Sequence, residues 1–241
     1  MERDAWHDPD AAAEYVAAVR GDSPVNQYIE KPALRALMGP VTGLAMVDLG
    51  AGAGDFAGEC AEAGARSIVA VEASPAMLAL AREHSRVRYV PSRMEEVDLP
   101  TQSVDGVFSS MALQYVPDLP RVIERVHRWL VDDGWFAFTV EHPLGTANSR
   151  GSWLDEDTPQ AAWPVDRYLE EGPVRDQRGD LVVVRWHRTV STWVTELRAG
   201  GFAVEAMVEP AGTAPGGAAA PGRLAQNRKC PVVLGIRARR C

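Results

Sequence analysis

Two neighbouring features of the sequence have the residue types of a nucleoside-binding site. The first is a glycine-rich segment at 47–54, VDLGAGAG, which begins within a short apolar run at 44–49. Glycine allows a tight turn and leaves no side chain where a ligand must approach the backbone. The second is Glu72, an acid at the end of the next apolar run, 67–71. A carboxylate there can accept hydrogen bonds from two ribose hydroxyls, so the two features together predict an adenosine site.

The spacing of the glycines and one acid before them separate two ligand classes. Gly50, Gly52 and Gly54 read G-x-G-x-G, whereas the dinucleotide fingerprint that cradles a pyrophosphate reads G-x-G-x-x-G. Asp48 stands just before the loop, where a carboxylate would repel a phosphate and attract the ammonium of a methionine moiety, directly or through water. The pattern therefore favours S-adenosylmethionine over NAD, and a nicotinamide-dependent oxidoreductase is the competing interpretation.

The order of apolar runs and helical patterns predicts an α/β fold that holds this loop. Strands that alternate with helices are typical of a mostly parallel sheet covered on both faces. We predict a Rossmann-like, mostly parallel seven-stranded sheet with the glycine loop at the carboxyl end of its first strand. The predicted strands are 44–49, 67–71, 87–90, 104–109, 135–140, 202–208 and 232–236, with an extra strand at 181–187, and the predicted helices are 10–20, 33–38, 55–63, 75–84, 119–130 and 191–199.

Four segments divide the chain in this interpretation. Residues 1–40 form an N-terminal helical lid, 41–140 the cofactor-binding core, 141–188 an acceptor-binding cap inserted after the fifth strand, and 189–241 a helix and strands that complete the core sheet. The stretch 141–180 has no clear period and is rich in Trp, Pro, Gly and charge, which predicts an irregular insertion. A Gly-, Ala- and Pro-rich stretch at 211–222 predicts a mobile loop.

Four motifs, in this order and spacing, resemble the class I S-adenosylmethionine-dependent methyltransferases: 47–57 (VDLGAGAGDFA), 71–78 (VEASPAML), 94–100 (MEEVDLP) and 104–110 (VDGVFSS). The resemblance implies methyl transfer from S-adenosylmethionine, with S-adenosylhomocysteine as product. It implies the following contacts: the methionine portion against Asp48, Gly50 and Ala51, the ribose beside Gly52 and Glu72, the adenine against Ala73, Met77, Met94 and Glu95, and the sulfonium beside Ser110 or Met111. Many relatives have an Asp before the Met-Glu pair where this chain has Ser92-Arg93, so an adenine amino contact is missing or comes from Glu95.

Three later motifs resemble a bacterial subgroup of small-molecule methyltransferases: 112–115 (ALQY), 140–143 (VEHP) and 186–189 (WHRT). That subgroup often has His where this chain has Gln114, and an amide has no useful basicity. Gln114 can still orient an acceptor by hydrogen bonding. The substitution also supports a competing interpretation, a module that binds the cofactor without turnover.

The sequence assigns proton transfer from the acceptor to a histidine. A neutral amine needs no base, whereas a phenol or alcohol benefits from one near neutral pH, and His is the best-suited residue type. His142 follows the fifth strand and is the first candidate; His187 is the second, and Tyr115 is a hydrogen-bonding neighbour. In the competing structural interpretation, His142 caps the turn before Pro143 and His187 packs beneath a strand.

Aromatic and charged residues indicate how the site is closed. Tyr15 and Arg20 are spaced to close over the cofactor, Arg20 through a charge-assisted bond to the methionine carboxylate, although a solvated Arg at a helix end is the alternative. Trp153, Trp163 and Tyr168 either wall an acceptor pocket or form a minor core. A pocket would predict a bulky or aromatic acceptor, such as a secondary metabolite, methylated at oxygen or nitrogen. Sulfur and carbon acceptors stay open.

Composition argues against several other classes of protein. The 241 residues suit one α/β domain, and a net charge of −8 argues against a nucleic-acid surface. Cys60, Cys230 and Cys241 have no CxxC spacing, so we expect no disulfide framework, no metal site and a reducing cytoplasm. No stretch is long and apolar enough to span a membrane, and the N-terminus lacks the apolar core of a signal peptide. We expect a monomer or homodimer that acts on a small molecule.

Overall fold

Strands and short helices alternate along the computed structural model, which describes residues 3–4, 6–20, 23–155, 161–178, 181–213 and 221–241. The strands are β1 (Arg3–Asp4), β2 (Ala45–Leu49), β3 (Ser67–Glu72), β4 (Val87–Pro91), β5 (Val104–Ser110), β6 (Leu130–Glu141), β7 (Gly172–Arg178), β8 (Leu181–His187), β9 (Phe202–Val208) and β10 (Val233–Arg240). The helices are α1 (Pro9–Arg20), α2 (Lys31–Met38), α3 (Asp55–Glu62), α4 (Pro75–Leu78), α5 (Leu119–Trp129), α6 (Pro143–Thr146), α7 (Val190–Ala199) and α8 (Pro221–Lys229). A π-helical turn, Asn26–Glu30, precedes α2, and a 3₁₀ turn, Leu113–Tyr115, follows β5.

The central sheet has seven strands in the order β4-β3-β2-β5-β6-β10-β9. β2 pairs in parallel with β3 and β5, β3 with β4, and β5 with β6, whereas β10 is antiparallel to both of its neighbours. All strands except β10 therefore run in one direction, which confirms the predicted Rossmann-like, mostly parallel seven-stranded sheet. The carboxyl ends of β2, β3 and β5 lie side by side, so the loops that follow them meet at one edge.

Side chains alternate between the two faces of the sheet, and helices cover both faces. Phe136 and Phe138 of β6 lie in one core with α5 and α7, whereas Trp135 and Ala137 lie in the other with α2 and α3. Helix α5 packs through residues spaced along one helical face, namely Leu119, Val122, Ile123, Val126 and Trp129. Burial on both faces explains why every residue of β2 is buried.

The helix after β3 is shorter than the sequence predicts. The predicted helix covers 75–84. Ser74 caps α4, because its Oγ accepts the Met77 N–H at 3.0 Å, but the helix ends at Leu78. Further along, the Arg82 N–H donates to the Ala53 carbonyl in the glycine loop, 3.4 Å away. A tertiary bond to the loop thus replaces the helical bond that local propensity favours.

The fifth strand of the core begins earlier than the sequence predicts. β6 starts at Leu130, which pairs with Val104, and the register with β5 then shifts. Asp133 has a φ of 60°, so the Asp-Asp-Gly run that predicts the end of a helix forms an irregularity within the strand instead. Pairing with β5 overrides the local turn signal.

The insertion after β6 contains a second, three-stranded sheet. β7 and β8 pair antiparallel along their length, and β1 pairs in parallel with β8. The predicted strand 181–187 is present, but the prediction of an irregular stretch to residue 180 is wrong, because β7 lies within it. β7 has one aliphatic side chain, Val174, and therefore carries no strand signal in the sequence. Arg3 and Asp4, near the start of the chain, thus belong to the sheet of the insertion.

Helix α8 lies near the segment for which the sequence predicts a mobile loop. Residues 214–220 of that segment lie outside the described residues, and α8 begins directly after them. Asn227 of α8 bonds to the segments before and after the helix. Its Nδ2 donates to the Pro210 carbonyl at 2.8 Å, and its Oδ1 accepts the Val232 N–H at 3.0 Å. No helix in the described ranges is long and apolar enough to cross a membrane.

Gly106→Ala should destabilise the protein, because a Cβ at this position of β5 would lie 2.3 Å from the Trp135 ring. Overpacking of this kind costs about 1–3 kcal/mol, which urea denaturation measures. Gly58→Ala is the matched control: its Cβ would have no neighbour within 4 Å, and Gly58 lies in α3. Alanine favours a helix over glycine by up to about 1 kcal/mol, so the control should be neutral or more stable. Equal losses in both variants would contradict the packing described for β5 and β6.

Candidate active site

A cavity opens where the loops after β2, β3 and β5 meet. It has two adjoining lobes that share Tyr15, Gly50, Gly52, Ser110 and Met111. The Glu72 lobe is further lined by Trp6, His7, Val71, Glu72, Ala73, Ser74, Met77, Ser92, Arg93, Met94, Glu95, Ala112, Tyr115 and Val116. The Asp48 lobe is further lined by Val16, Asn26, Lys31, Asp48, Ala51, Ala53, Asp55 and Phe56. Every residue that the sequence assigns to the cofactor, except Arg20, borders one of the lobes.

Hydrogen bonds and close packing fix the glycine loop beside β3. The N–H groups of Gly50 and Ala51 both donate to the Val71 carbonyl, at 2.9 and 3.0 Å. Gly50 has a φ of 77°, and a Cβ there would lie 2.3 Å from the Cβ of Ala112. A side chain is therefore excluded both by backbone conformation and by space.

Glu72 joins the glycine loop to the start of α4. Its Oε2 accepts the Gly52 N–H and its Oε1 accepts the Ser74 N–H, each at 2.8 Å. A carboxylate has about four acceptor positions, so these two bonds leave capacity for further donors. A carboxylate fixed in this way beside the lobe fits the paired hydroxyls of a ribose.

Asp48 is a buried carboxylate with one oxygen, Oδ1, that receives no hydrogen bond from the described residues. It is 2% exposed. Burial raises the pKa of Asp48 well above its usual range, and the nearby carboxylates of Glu72 and Glu30 raise it further. An uncompensated buried acid is destabilising until a cation pairs with it. The Asp48 lobe therefore fits the ammonium group of a methionine moiety.

The residues assigned to the adenine all line the Glu72 lobe. Ala73 and Met77 line it from the β3 side, and Met77 is buried in a small apolar cluster with α1. Met94 and Glu95 line it from the loop after β4, where Glu95 pairs with Arg93 at 3.1 Å. The structure thus brings together the four predicted adenine residues, which the chain separates widely.

The N-terminal segment folds back over the cavity. The Trp6 ring lies edge-on to Tyr15 and to Tyr115, with centroid distances of 5.2 and 5.1 Å. The Trp6 carbonyl accepts a hydrogen bond from the Ser74 hydroxyl beside Glu72. Trp6 and Tyr15 therefore cover the cavity from the side of α1.

Arg20 lines neither lobe itself but is bonded to Asp55, which lines the Asp48 lobe. Its Nε donates to both carboxylate oxygens of Asp55, at 2.8 and 3.1 Å, and one terminal nitrogen donates to the Leu80 carbonyl at 3.1 Å. These bonds connect the end of α1 to the start of α3. A contact between Arg20 and the cofactor stays a prediction, and it requires Arg20 to leave Asp55.

Both ring nitrogens of His142 are hydrogen-bonded. Nδ1 accepts the Leu144 N–H at 3.1 Å and so caps α6, which leaves the ring proton on Nε2, 2.8 Å from Glu209 Oε1. Burial lowers the pKa of His142, although Glu209 opposes this effect. To accept a proton from an acceptor molecule, His142 would have to give up one of these partners. Its role as a base stays a prediction.

His187 and the aromatic residues of the insertion pack against one another. His187 Nε2 lies 2.9 Å from the Tyr168 carbonyl, which can only accept, so Nδ1 is left to accept from the Thr146 hydroxyl at 2.6 Å. The rings of Trp153 and Trp163 lie edge-on, 5.5 Å apart. None of these five residues is among the described residues that line the two lobes. The acceptor-site roles that the sequence assigns to His187 and the three aromatic residues stay predictions.

Gln114 supports the backbone turn at Met111. It is 3% exposed, and its Nε2 donates to the Met111 carbonyl at 2.7 Å. Met111 has a backbone φ of 51°, in the left-handed region that residues other than glycine rarely adopt. Tyr115 lines the Glu72 lobe, and burial raises the pKa of its hydroxyl, so it stays a neutral hydrogen-bonding group.

Three residues at the site carry no signal in the sequence. Trp6 and His7 precede the first helix, and they line the cavity through contacts of Trp6 that are distant in the chain, with Ser74 and Tyr115. Glu30 lies in the π-helical turn, whose wider winding is not visible as a period in the sequence. The described residues include no group of three or more His, Cys, Asp or Glu that could hold a metal ion.

Comparison with known proteins identifies the family. The profile of a family described as a methyltransferase domain matches residues 47–138. An S-adenosylmethionine-dependent methyltransferase of Mesorhizobium loti, known from its crystal structure, is 35% identical with a TM-score of 0.80, over 92% of this chain and 100% of that one. The malonyl-[acyl-carrier protein] O-methyltransferase of Pectobacterium atrosepticum is 37% identical over 108 residues, 44% of this chain and 42% of that protein. The Burkholderia thailandensis 1,6-didemethyltoxoflavin-N1-methyltransferase, crystallised with S-adenosylhomocysteine, shares the fold at 20% identity and a TM-score of 0.56, over 95% of this chain and 86% of that one.

The chain belongs to the class I S-adenosylmethionine-dependent methyltransferases, as its motifs predict. Its cofactor is S-adenosylmethionine, and the competing interpretation as a nicotinamide-dependent oxidoreductase is excluded. The residues of the cavity fit this cofactor. The Asp48 lobe offers a buried carboxylate whose Oδ1 has no partner among the described residues, and the Glu72 lobe offers a carboxylate fixed beside the glycine loop.

Glu72→Ala should weaken the binding of S-adenosylhomocysteine by about 1–3 kcal/mol, the usual loss when a bond to a charged group is removed. Isothermal titration calorimetry measures the dissociation constant directly. Glu83→Ala removes an exposed carboxylate soon after α4 and should leave binding unchanged. An unchanged dissociation constant in the Glu72 variant would contradict its assignment to the ribose.

Asp48→Asn should stabilise the cofactor-free protein while weakening cofactor binding. Because the folded-state pKa of Asp48 is raised, the folded protein holds a proton that the unfolded chain releases, and its stability falls as the pH rises above the ordinary carboxyl range. The free energy of unfolding of the variant does not fall in this way. Its difference from wild type should therefore grow from acid to neutral pH and reach about 1–3 kcal/mol in favour of the variant. Urea denaturation between pH 4 and pH 8 measures it. A wild-type protein that is more stable than the variant at pH 8 would contradict the assignment.

Proposed function

We propose that this methyltransferase acts on a small molecule, at an oxygen or nitrogen atom, and that the acceptor enters beside Trp6, Tyr15 and Tyr115. The observation that carries this proposal is the group of three edge-packed rings that adjoins Ser110 and Met111. The motifs of the family assign those two residues to the sulfonium. An enclosure of aromatic rings suits a flat, partly apolar acceptor such as an aromatic secondary metabolite.

The residues around this enclosure act by positioning the acceptor. When bound, S-adenosylmethionine supplies the electrophilic methyl group, which an acceptor atom must approach in line. Trp6 and Tyr115 would hold the acceptor ring and exclude water, and the Tyr115 hydroxyl would orient it by hydrogen bonding. The Gln114 bond to the Met111 carbonyl would keep the turn after β5 at a fixed distance from the reacting atoms.

The hydrogen bonds of the two histidines favour an acceptor that needs no histidine base. His142 holds Leu144 and Glu209, and His187 holds Thr146 and a carbonyl of the insertion. An amine that is neutral near pH 7 already has a free lone pair, and an acidic oxygen is already ionised. Neither needs a base before it attacks the methyl group. We therefore infer that the nucleophile is an amine or an acidic oxygen. The likeness to an O-methyltransferase covers less than half of the chain and leaves the acceptor atom open.

A panel of aromatic amines, phenols and carboxylic acids tests the proposal, with release of S-adenosylhomocysteine as the signal. Trp6→Ala should raise the KM of an active acceptor about tenfold, since the loss of an aromatic contact of roughly 1.5 kcal/mol corresponds to that factor. Trp153→Ala is the contrasting variant in the insertion and should change KM less than threefold. A larger effect at Trp153 would move the acceptor site to the insertion. Methylation of a protein or nucleic acid, with no turnover of small molecules, would contradict the proposal.

His142→Gln should retain turnover within threefold of wild type. The glutamine amide can accept from Leu144 and donate to Glu209, so the variant preserves the α6 cap while removing the basic nitrogen. A general base contributes about 10²–10⁴-fold, so a loss of that size would show that His142 takes the proton. Initial rates at saturating cofactor from pH 6 to pH 9 provide the measurement.

A further inference from the structure

Glu30 is a buried carboxylate directly behind Ser110, a residue that lines both lobes of the cavity. It is 1% exposed and ends the π-helical turn before α2. Its Oε1 accepts two hydroxyl hydrogens, from Ser110 at 2.9 Å and from Thr139 at 2.5 Å. These hydroxyls lie opposite each other on β5 and β6, so the turn directs Glu30 at the carboxyl ends of both strands.

The position of Glu30 relative to Asp48 follows from the sheet. Asp48 lies on β2 opposite Phe108 of β5, whereas Glu30 lies where β5 meets β6. The two carboxylates therefore flank the end of β5, and Ser110 lines both lobes between them. Their fields overlap, because the Glu30 carboxylate raises the pKa of Asp48.

Among the described residues, the two cations that act on Glu30 are already paired with another acid. Lys31 and Arg35 of α2 act on Glu30, but both pair with Glu59, Lys31 at 2.9 Å. Burial outweighs them and raises the pKa of Glu30. Desolvation, together with Glu30 and Glu72, also raises the pKa of Tyr15, to about 12. The end of the cavity around β5 is thus an electronegative place that a cation would stabilise.

We propose that Glu30 makes this enzyme distinguish its cofactor from its product. Asp48 lies on the side of the α-ammonium, which both ligands carry, and Glu30 lies toward the sulfur, whose positive charge only S-adenosylmethionine carries. In the reaction the S–CH₃ bond breaks, its electron pair stays on sulfur, and the acceptor lone pair forms the new bond to the methyl group. The sulfonium becomes a neutral thioether, so Glu30 loses its electrostatic partner and the product is held less tightly.

The wild-type protein gives the first test, by calorimetry at pH 7 with three ligands. S-adenosylmethionine and sinefungin, in which a carbon bearing an amino group replaces the sulfonium, should bind at least tenfold more tightly than S-adenosylhomocysteine. Equal or tighter binding of S-adenosylhomocysteine would overturn the proposal. The measurement contains no acceptor, so its outcome is independent of the proposed acceptor class.

Glu30→Gln gives the second test, because it keeps an oxygen that can accept from Ser110 and Thr139 and removes only the charge. The preference for S-adenosylmethionine over S-adenosylhomocysteine should fall about tenfold, with sinefungin following S-adenosylmethionine. Glu30→Asp should stay closer to wild type, and Glu14→Gln, which removes an exposed charge from α1, should equal it. A uniform loss of affinity for all three ligands, or no change for any, would show that Glu30 does not act on the sulfonium.

Discussion

The buried carboxylate of Asp48, whose Oδ1 has no partner among the described residues, is the constraint on which the site depends. It lies in the innermost part of the sheet, on a strand buried on both faces, where its neighbours Val47 and Leu49 belong to one core and Met46 to the other. Those two cores hold β2 in place against the cost of the buried charge. The apolar packing of the sheet thus supports a group that opposes folding until the cofactor binds.

The charge around the glycine loop is concentrated by elements that are far apart in the chain. Asp48 is the last residue but one of β2, Glu72 is the last of β3, and Glu30 lies in the turn before α2. The Glu72 carboxylate accepts hydrogen bonds from two backbone N–H groups, whereas Asp48 Oδ1 accepts none from the described residues. The same functional group therefore fixes the backbone in one place and is left to accept from a ligand in the other. Parallel strands bring these residues together because their carboxyl ends meet at one edge.

The cofactor half of the site could be predicted because its information is local. Asp48, the glycine loop and Glu72 occupy fixed places relative to two strand ends, and the alternation of elements determines which edge they share. The length of α4 and the presence of β7 could not be predicted. α4 stops at Leu78 where the chain bonds to the loop, and β7 exists because β8 pairs with it. Neither partner is visible from the segment itself.

The acceptor half could not be predicted in the same way, because residue type does not reveal hydrogen-bond partners. His142 and His187 have the chemistry of a base, yet Leu144, Glu209, Thr146 and a carbonyl occupy their nitrogens. Gln114 has the chemistry of a donor to a ligand, yet it donates to a carbonyl of its own loop. Trp6 contacts Ser74 and Tyr115 at the cavity, and Arg3 and Asp4 before it pair with β8. No periodicity in the sequence predicts these contacts.

The pairing of β1 with β8 joins the entrance of the cavity to the insertion. Trp6 stands two positions after Asp4, the last residue of β1, and β1 is hydrogen-bonded to the three-stranded sheet of the insertion. The same Trp6 contacts Tyr15, Tyr115 and Ser74 at the cavity. A change in the length or tilt of the hairpin of β7 and β8 is therefore expected to be felt at the Trp6 ring. Sequence variation in the insertion and the shape of the cavity entrance are thus expected to evolve together.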